Sequence, residues 1–235
     1  MSLPQTLQEP IIVSFSGLDG AGKTTQIISL RESAVHLGLR TQLITFWDDV
    51  VVGTRFRESF VHKVFGSEQG VGAPGKPVER RDKNVRVGYL TLMRHLLYLA
   101  DAIHLRIVLR RARHWNTDVI IMDRYLYDEL TNLPLDNPFS IAFAKFIARI
   151  APRPELAILL DTDPDIARAR KPEYSLNFMR QSRNSYFRLA ELLGGLTVIP
   201  PLGLAEAKTT VLTKFLRILG KRRGDSTLTG VAPAA

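Results

Sequence analysis

Residues 11–30 read IIVSFSGLDGAGKTTQIISL. Ile11 to Phe15 is an apolar run of strand length that stops at a cluster of glycines. Beyond the cluster, Ile27, Ile28, Leu30 and Ala34 recur at helical spacing. Between the two lies Gly17-x-x-x-x-Gly22-Lys23-Thr24, the full spacing of a P-loop between strand and helix. The residue types follow from the task of holding phosphate. Small residues let backbone N–H groups close around the oxygens, and a helix starting near Lys23 turns its positive dipole end to the same anion. Lys23 brings a mobile charge for the β- and γ-phosphates, and the Thr24 hydroxyl is the expected Mg²⁺ ligand. Gly17, Asp19, Gly20, Ala21, Gly22, Lys23, Thr24 and Thr25 form the expected ATP-binding set.

The pattern outward from this loop is an alternation of strands and helices. Leu43–Phe46, Val119–Met122, Leu156–Leu160 and Leu196–Ile199 read as further strands. Helices are expected over 53–65, 85–113, 139–150, 175–193 and 205–219, the long one packing through Leu90, Met93, Leu97, Ala100 and Ile107. This order predicts an α/β chain of the P-loop NTPase fold, a parallel sheet with helices on both faces. The expected domain spans 11–219, with a flexible 1–10, a mobile Gly/Pro-rich loop at 66–83 and a disordered tail at 220–235.

Composition narrows the class. The chain has 235 residues, 45% of them hydrophobic, which suits one domain with an ample core. It has no cysteine, so neither a disulfide scaffold nor a Cys-based metal site is available. No apolar run reaches membrane-spanning length and the first ten residues lack a leader pattern, so a cytoplasmic protein is expected. The net charge of +9 suits anionic ligands such as small nucleotides. The basic runs RRDK and KRRG carry no interleaved aromatics, so nucleic-acid binding is not expected. Two other carboxylate–turn sites stand at strand ends: Asp123-Arg124-Tyr125 after the third strand, and Asp161 before Pro164, where turn chemistry is expected. No guanine-reading Asn-Lys-x-Asp occurs, and the chain is short for a motor.

FSGLDGAGKTTQ, VIIMDRY, RPELAILLDTDPDIARAR and RQSRNSYFRLAE together resemble the thymidylate kinase family of nucleoside monophosphate kinases, over roughly residues 11–218. The resemblance implies transfer of the ATP γ-phosphoryl to thymidine monophosphate, with Mg²⁺, as a step of nucleotide biosynthesis. It implies that Lys23 and Arg124 are catalytic and that Asp123 serves the metal beside Thr24. Asp19 and Arg124 would also face the acceptor, and Tyr98 would stack on its base. A short basic lid is expected at about 168–175. The position after Asp19 is Gly20, so no loop arginine is available and Arg168 and Arg170 of the lid become the catalytic candidates, with Arg183 further along. A homodimer through long helices is implied in the same way.

The acceptor half departs from the family pattern. An Arg-Glu-Pro-like run is replaced by Phe46-Trp47-Asp48-Asp49, leaving Arg55 or Arg57 as substitutes. The base-reading arginine is Ala102, with His104 and Arg106 nearby. LYDELTNLP follows Asp-Arg-Tyr, and an inward Asp128 would repel an acceptor phosphate. Three readings stay open: the kinase with this or another acceptor, a nucleotide-binding regulatory protein without turnover, and a kinase acting on nucleic-acid ends.

Overall fold

Five strands form one parallel sheet in the computed structural model, which describes residues 7, 9–52 and 88–224, with side chains from 92 onward in the last segment. The strands are β1 (Ile11–Gly17), β2 (Thr41–Thr45), β3 (Val119–Asp123), β4 (Leu156–Leu160) and β5 (Leu196–Ile199), in spatial order β2-β3-β1-β4-β5. The helices are α1 (Lys23–His36), α2 (Gly88–Arg113), α3 (Leu126–Leu130), α4 (Pro138–Ile150), α5 (Pro164–Arg170), α6 (Leu176–Leu193) and α7 (Leu204–Arg223). A single π-helical turn, Phe46–Val50, follows β2. This is the α/β P-loop kinase fold that the element order implies.

Strand residues alternate between two buried faces. Ile12, Ile120 and Met122 join the core under α2, α3, α4 and α6. Ile11, Val13, Phe15, Val119 and Ile121 join the core under α1 and α7. With both faces covered, the inner strands read as continuous apolar runs rather than alternating ones, which is why they are visible in sequence. The chain crosses from β3 on one side of β1 to β4 on the other, so the carboxyl ends of these three strands open a crevice where ligands of such sheets bind.

Local signals account for most helix ends. Asn137 and Asp163 cap α4 and α5 through their side chains, each followed by a proline at the first helical position. Ser175 caps α6 from its side chain, donated to by the Phe178 amide at 3.3 Å. α7 runs to Arg223 and ends at Gly224 in the left-handed conformation, four residues past the expected end at 219. Two helix faces differ from expectation. On α1, Gln26 is buried and Ile28 is 50% exposed. On α2 the buried face is Tyr98, Ala102, Leu105, Leu109 and Ala112, while Met93, Leu97 and Ala100 are half-buried and Ile107 is 39% exposed. The expected helix at 53–65, the loop at 66–83, Arg55 and Arg57, and the tail beyond 224 lie outside the described residues.

Candidate active site

The loop between β1 and α1 closes around its own lysine. Lys23 Nζ donates to Gly17 O at 2.9 Å and Leu18 O at 2.8 Å and lies 3.7 Å from an Asp19 carboxylate oxygen. Lys23 is 8% exposed, and burial, with the Arg124 charge second, brings its ammonium down to about 8 against the pull of Asp19, Asp128 and Asp123. The loop reaches this shape with glycine at positive φ at positions 17, 20 and 22, and at the first two a Cβ would also clash. Gly17 sits at φ 137°, and a Cβ there would meet Leu160 O at 2.4 Å. Gly20 sits at φ 88°, and its Cβ would meet Ala167 O of α5 at 2.4 Å. Gly22 precedes α1 with no side-chain cap, so the first helical amides keep free donors at the end where the dipole is positive. Thr24 and Thr25 are exposed beside them.

β3 ends in parallel register with β1, Asp123 opposite Phe15, and delivers Asp-Arg-Tyr to the same edge. Asp123 is partly exposed there, close enough for its charge to act on Lys23. Arg124 adopts the left-handed conformation at φ 68°, its amide donating to Phe15 O at 3.0 Å. That twist turns the guanidinium back over the loop, where it ion-pairs with Asp19 through one nitrogen and with Asp128, at 3.3 Å, through the other. Burial would weaken the charge of Arg124, but Asp128 and Asp19 outweigh it and hold the group firmly protonated. Asp19 feels burial upward, yet Arg124, Lys23 and Lys171 keep its carboxyl below the ordinary range.

Asp128 has a role the sequence reading missed. It is 5% exposed and accepts from Ser16 Oγ and Tyr186 OH, both at 2.6 Å, and from the Tyr125 amide at 3.1 Å, as well as from Arg124. One carboxylate thus ties the end of β1, the turn carrying Arg124 and helix α6 together. It points inward, but its charge is spent on four donors rather than facing an open acceptor space. Tyr186 OH, 3.4 Å from Gly17 O, adds a second strut to the loop, and burial with the nearby Asp128 charge pushes its phenol well above the ordinary value.

The lid candidates divide. Arg168 and Arg170 are exposed on the last turn of α5, and Arg170 donates to Gly20 O at 3.3 Å, so this turn already touches the loop. Pro172 follows α5 rather than breaking a longer helix. Arg183 is held by Asp161 through two 2.7 Å bonds. Asp161 therefore anchors α6, and the turn chemistry expected of it belongs to Asp163, the N-cap.

The acceptor side is built differently from the resemblance. Tyr98, expected on the base, is 6% exposed in the core with Phe46, Val50 and Ala102, so its ring offers little face to a base in this conformation. Ala102 is fully buried. His104 Nδ1 lies 2.6 Å from Val50 O, and Arg106 donates to Ile150 O at 3.1 Å, so both neighbours hold backbone. Phe46–Val50 coils into its π turn with Asp49 accepting from the Thr45 amide at 2.7 Å, and Asp48 and Asp49 stay exposed at the carboxyl edge of β2.

Among the described residues no cluster of three or more His, Cys, Asp or Glu could hold a metal ion. Thr24 and Asp123 are hard oxygen donors, too few alone but suited to Mg²⁺ arriving with nucleotide phosphates. No helix of the described residues is long and apolar enough to cross a membrane.

No known family profile matches the chain. Individual relatives do. A probable thymidylate kinase of Methanosphaera stadtmanae is 27% identical over 186 residues, 76% of this chain and 83% of the relative. One of Pyrococcus abyssi is 29% identical over 205 residues, 83% and 89% of the two chains. One of Archaeoglobus fulgidus is 22% identical over 188 residues, 77% and 83%. With the phosphate loop and the Asp-Arg-Tyr turn assembled at one sheet edge, these matches make the chain a distant relative of the thymidylate kinase family.

Proposed function

We propose that this protein transfers the γ-phosphoryl group of ATP to a nucleoside monophosphate, thymidine monophosphate first, yielding the diphosphate and ADP. The observation that carries the reading is the convergence of Lys23, the loop amides and the Arg124 fork within one crevice. Phosphoryl transfer asks for alignment and charge neutralisation more than for covalent chemistry. The loop amides would seat the donor phosphates, and Lys23 would exchange its two carbonyl partners for β- and γ-oxygens. Arg124 would leave Asp19 to meet the transferring group, its fork kept in place by Asp128. Arg168 and Arg170 would bring charge over the phosphates as α5 closes on the loop. Thr24 and Asp123 would hold Mg²⁺, which neutralises the phosphates and aligns them. The same reading makes the protein cytoplasmic, a partner of small nucleotides and a homodimer.

A second acceptor is favoured by one observation. The carboxyl edge of β2 presents Asp48 and Asp49 where the resemblance calls for an arginine. The test is to supply MgATP with a panel of nucleoside monophosphates, nucleosides and oligonucleotides and to follow ADP release. Stimulation by thymidine monophosphate supports the first reading, and stimulation by another acceptor alone supports the second. ATP binding with no stimulation by any acceptor overturns both.

A further inference from the structure

A cavity of about 260 Å³ lies away from the phosphate loop, between the carboxyl ends of α4 and α6 and the amino end of β4. Its walls include Ala157, Leu192 and Leu193, and four other lining residues carry its chemistry: Tyr127, Lys145, Arg149 and Arg153. We propose that this cavity is a second anion site, one that takes a small phosphomonoester with an apolar body.

Three observations converge on it. Lys145, Arg149 and Arg153 make no hydrogen bond or ion pair with any described residue, and no carboxylate lines the cavity. All three are exposed at its rim, where two carboxyl-terminal helix dipoles bring only about one negative charge against three cations, so the rim carries a net positive field. Tyr127 is the independent second sign. The residue is 8% exposed and its ring packs 4.9 Å from that of Tyr125, yet its hydroxyl has no hydrogen-bond partner among the described residues. The ring is buried while the hydroxyl stays accessible, so the phenol stands as an open donor at the cavity wall. The phenol is protonated at neutral pH, as an unperturbed tyrosine also is, and so can donate to an anion held by the nearby Arg153. The remaining wall is aliphatic, and the volume stands just below the usual range for ligand pockets, which suits a compact ligand with one charged end. The site is independent of the reaction proposed for the loop.

The test is an NMR titration of the ¹⁵N-labelled full chain with phenyl phosphate and with inorganic phosphate. Amides of Ala148, Gly194 and Gly195 report the cavity, and those of Gly20 and Gly22 report the loop separately. Saturable shifts are expected at the cavity amides, with phenyl phosphate the tighter of the two. Arg149→Ala combined with Arg153→Ala should weaken binding about tenfold or more, through loss of two charged contacts, and Tyr127→Phe about threefold, through loss of one hydrogen bond. Both arginines are exposed, so the rest of the spectrum should superimpose on the wild type; if it does not, Arg149→Gln with Arg153→Gln replaces the pair. No saturable shift at the cavity amides up to about 10 mM ligand, the weak edge of useful affinity, overturns the proposal. So does unchanged affinity in the folded double variant.

Discussion

Lys23→Met should make the ligand-free protein more stable while abolishing phosphoryl transfer. The ammonium is 8% exposed and its pKa falls from 10.5 to about 8, so the folded state disfavours the charged form by about 3 kcal/mol, at ~1.4 kcal/mol per unit. Methionine is of similar length and carries no charge. It forfeits the bonds to Gly17 O and Leu18 O, worth about 1 kcal/mol each. The balance is a gain of roughly 1 kcal/mol at pH 7, or a rise in Tm of about 2–4 °C for a chain of this size. The sign has a pH signature. Between about 8 and 10.5 the unfolded lysine keeps its proton while the folded one has released it, so wild-type stability rises with pH in that window. The gap between variant and wild type should therefore close as pH rises from 8 towards 10. Thermal and urea unfolding of both proteins across this range is the assay. Saturating MgATP should reverse the order, because only the wild type gains from tight binding. A methionine variant less stable than wild type at pH 7, or a gap indifferent to pH, would refute the account of a lysine held charged at a cost to the fold.

Three further outcomes follow from the geometry. Asp128→Asn should cost about 2–4 kcal/mol in urea unfolding, because it strips the charge from a buried carboxylate serving four donors and leaves Arg124 half-paired. Gly20→Ala should cost more than about 1 kcal/mol and weaken ATP binding about tenfold in calorimetry, since φ 88° and the Ala167 carbonyl at 2.4 Å both resist a Cβ. Leu92, Leu96, Ile103 and Ile107 form an exposed stripe at coiled-coil-like spacing along α2, so sedimentation should give twice 26.4 kDa, and Leu96→Glu should restore the monomer.

The shape of the glycine loop was legible because its signals are local. The loop glycines, Lys23 and the strand before them adjoin in sequence, and the inner strands are mostly apolar, Ser14 and Ser16 of β1 apart, because both faces of the sheet are covered. The misread face of α2 has a physical reason: a helix apolar on several sides, with one side buried and a nearly opposite side bearing the exposed stripe, offers two competing apolar periodicities. Asp128 escaped for a different reason. Its partners Ser16 and Tyr186 lie 112 and 58 residues away, and nothing in LYDELTNLP announces either. The short helix α3 is preceded at its N-cap by Tyr125, a poor cap residue by type, with Asp128 bonding back to its amide. Asp161 looked like a turn residue because Pro164 follows, yet its carboxylate is spent on Arg183, 22 residues on. The surroundings of Tyr98 were the least legible, because Tyr98 was matched by position and His104 and Arg106 only by nearness, while their burial and backbone partners depend on tertiary packing.

The central claim is that the loop and Arg124 align a triphosphate so that its terminal group passes to a nucleotide. Its most direct test is to follow the γ-phosphoryl itself, with labelled ATP, Mg²⁺ and thymidine monophosphate as first acceptor and the remaining monophosphates beside it. The label should appear in a nucleoside diphosphate in the wild type and in none with Lys23→Met. Label that stays on ATP, or leaves only as inorganic phosphate whatever the acceptor, would contradict it.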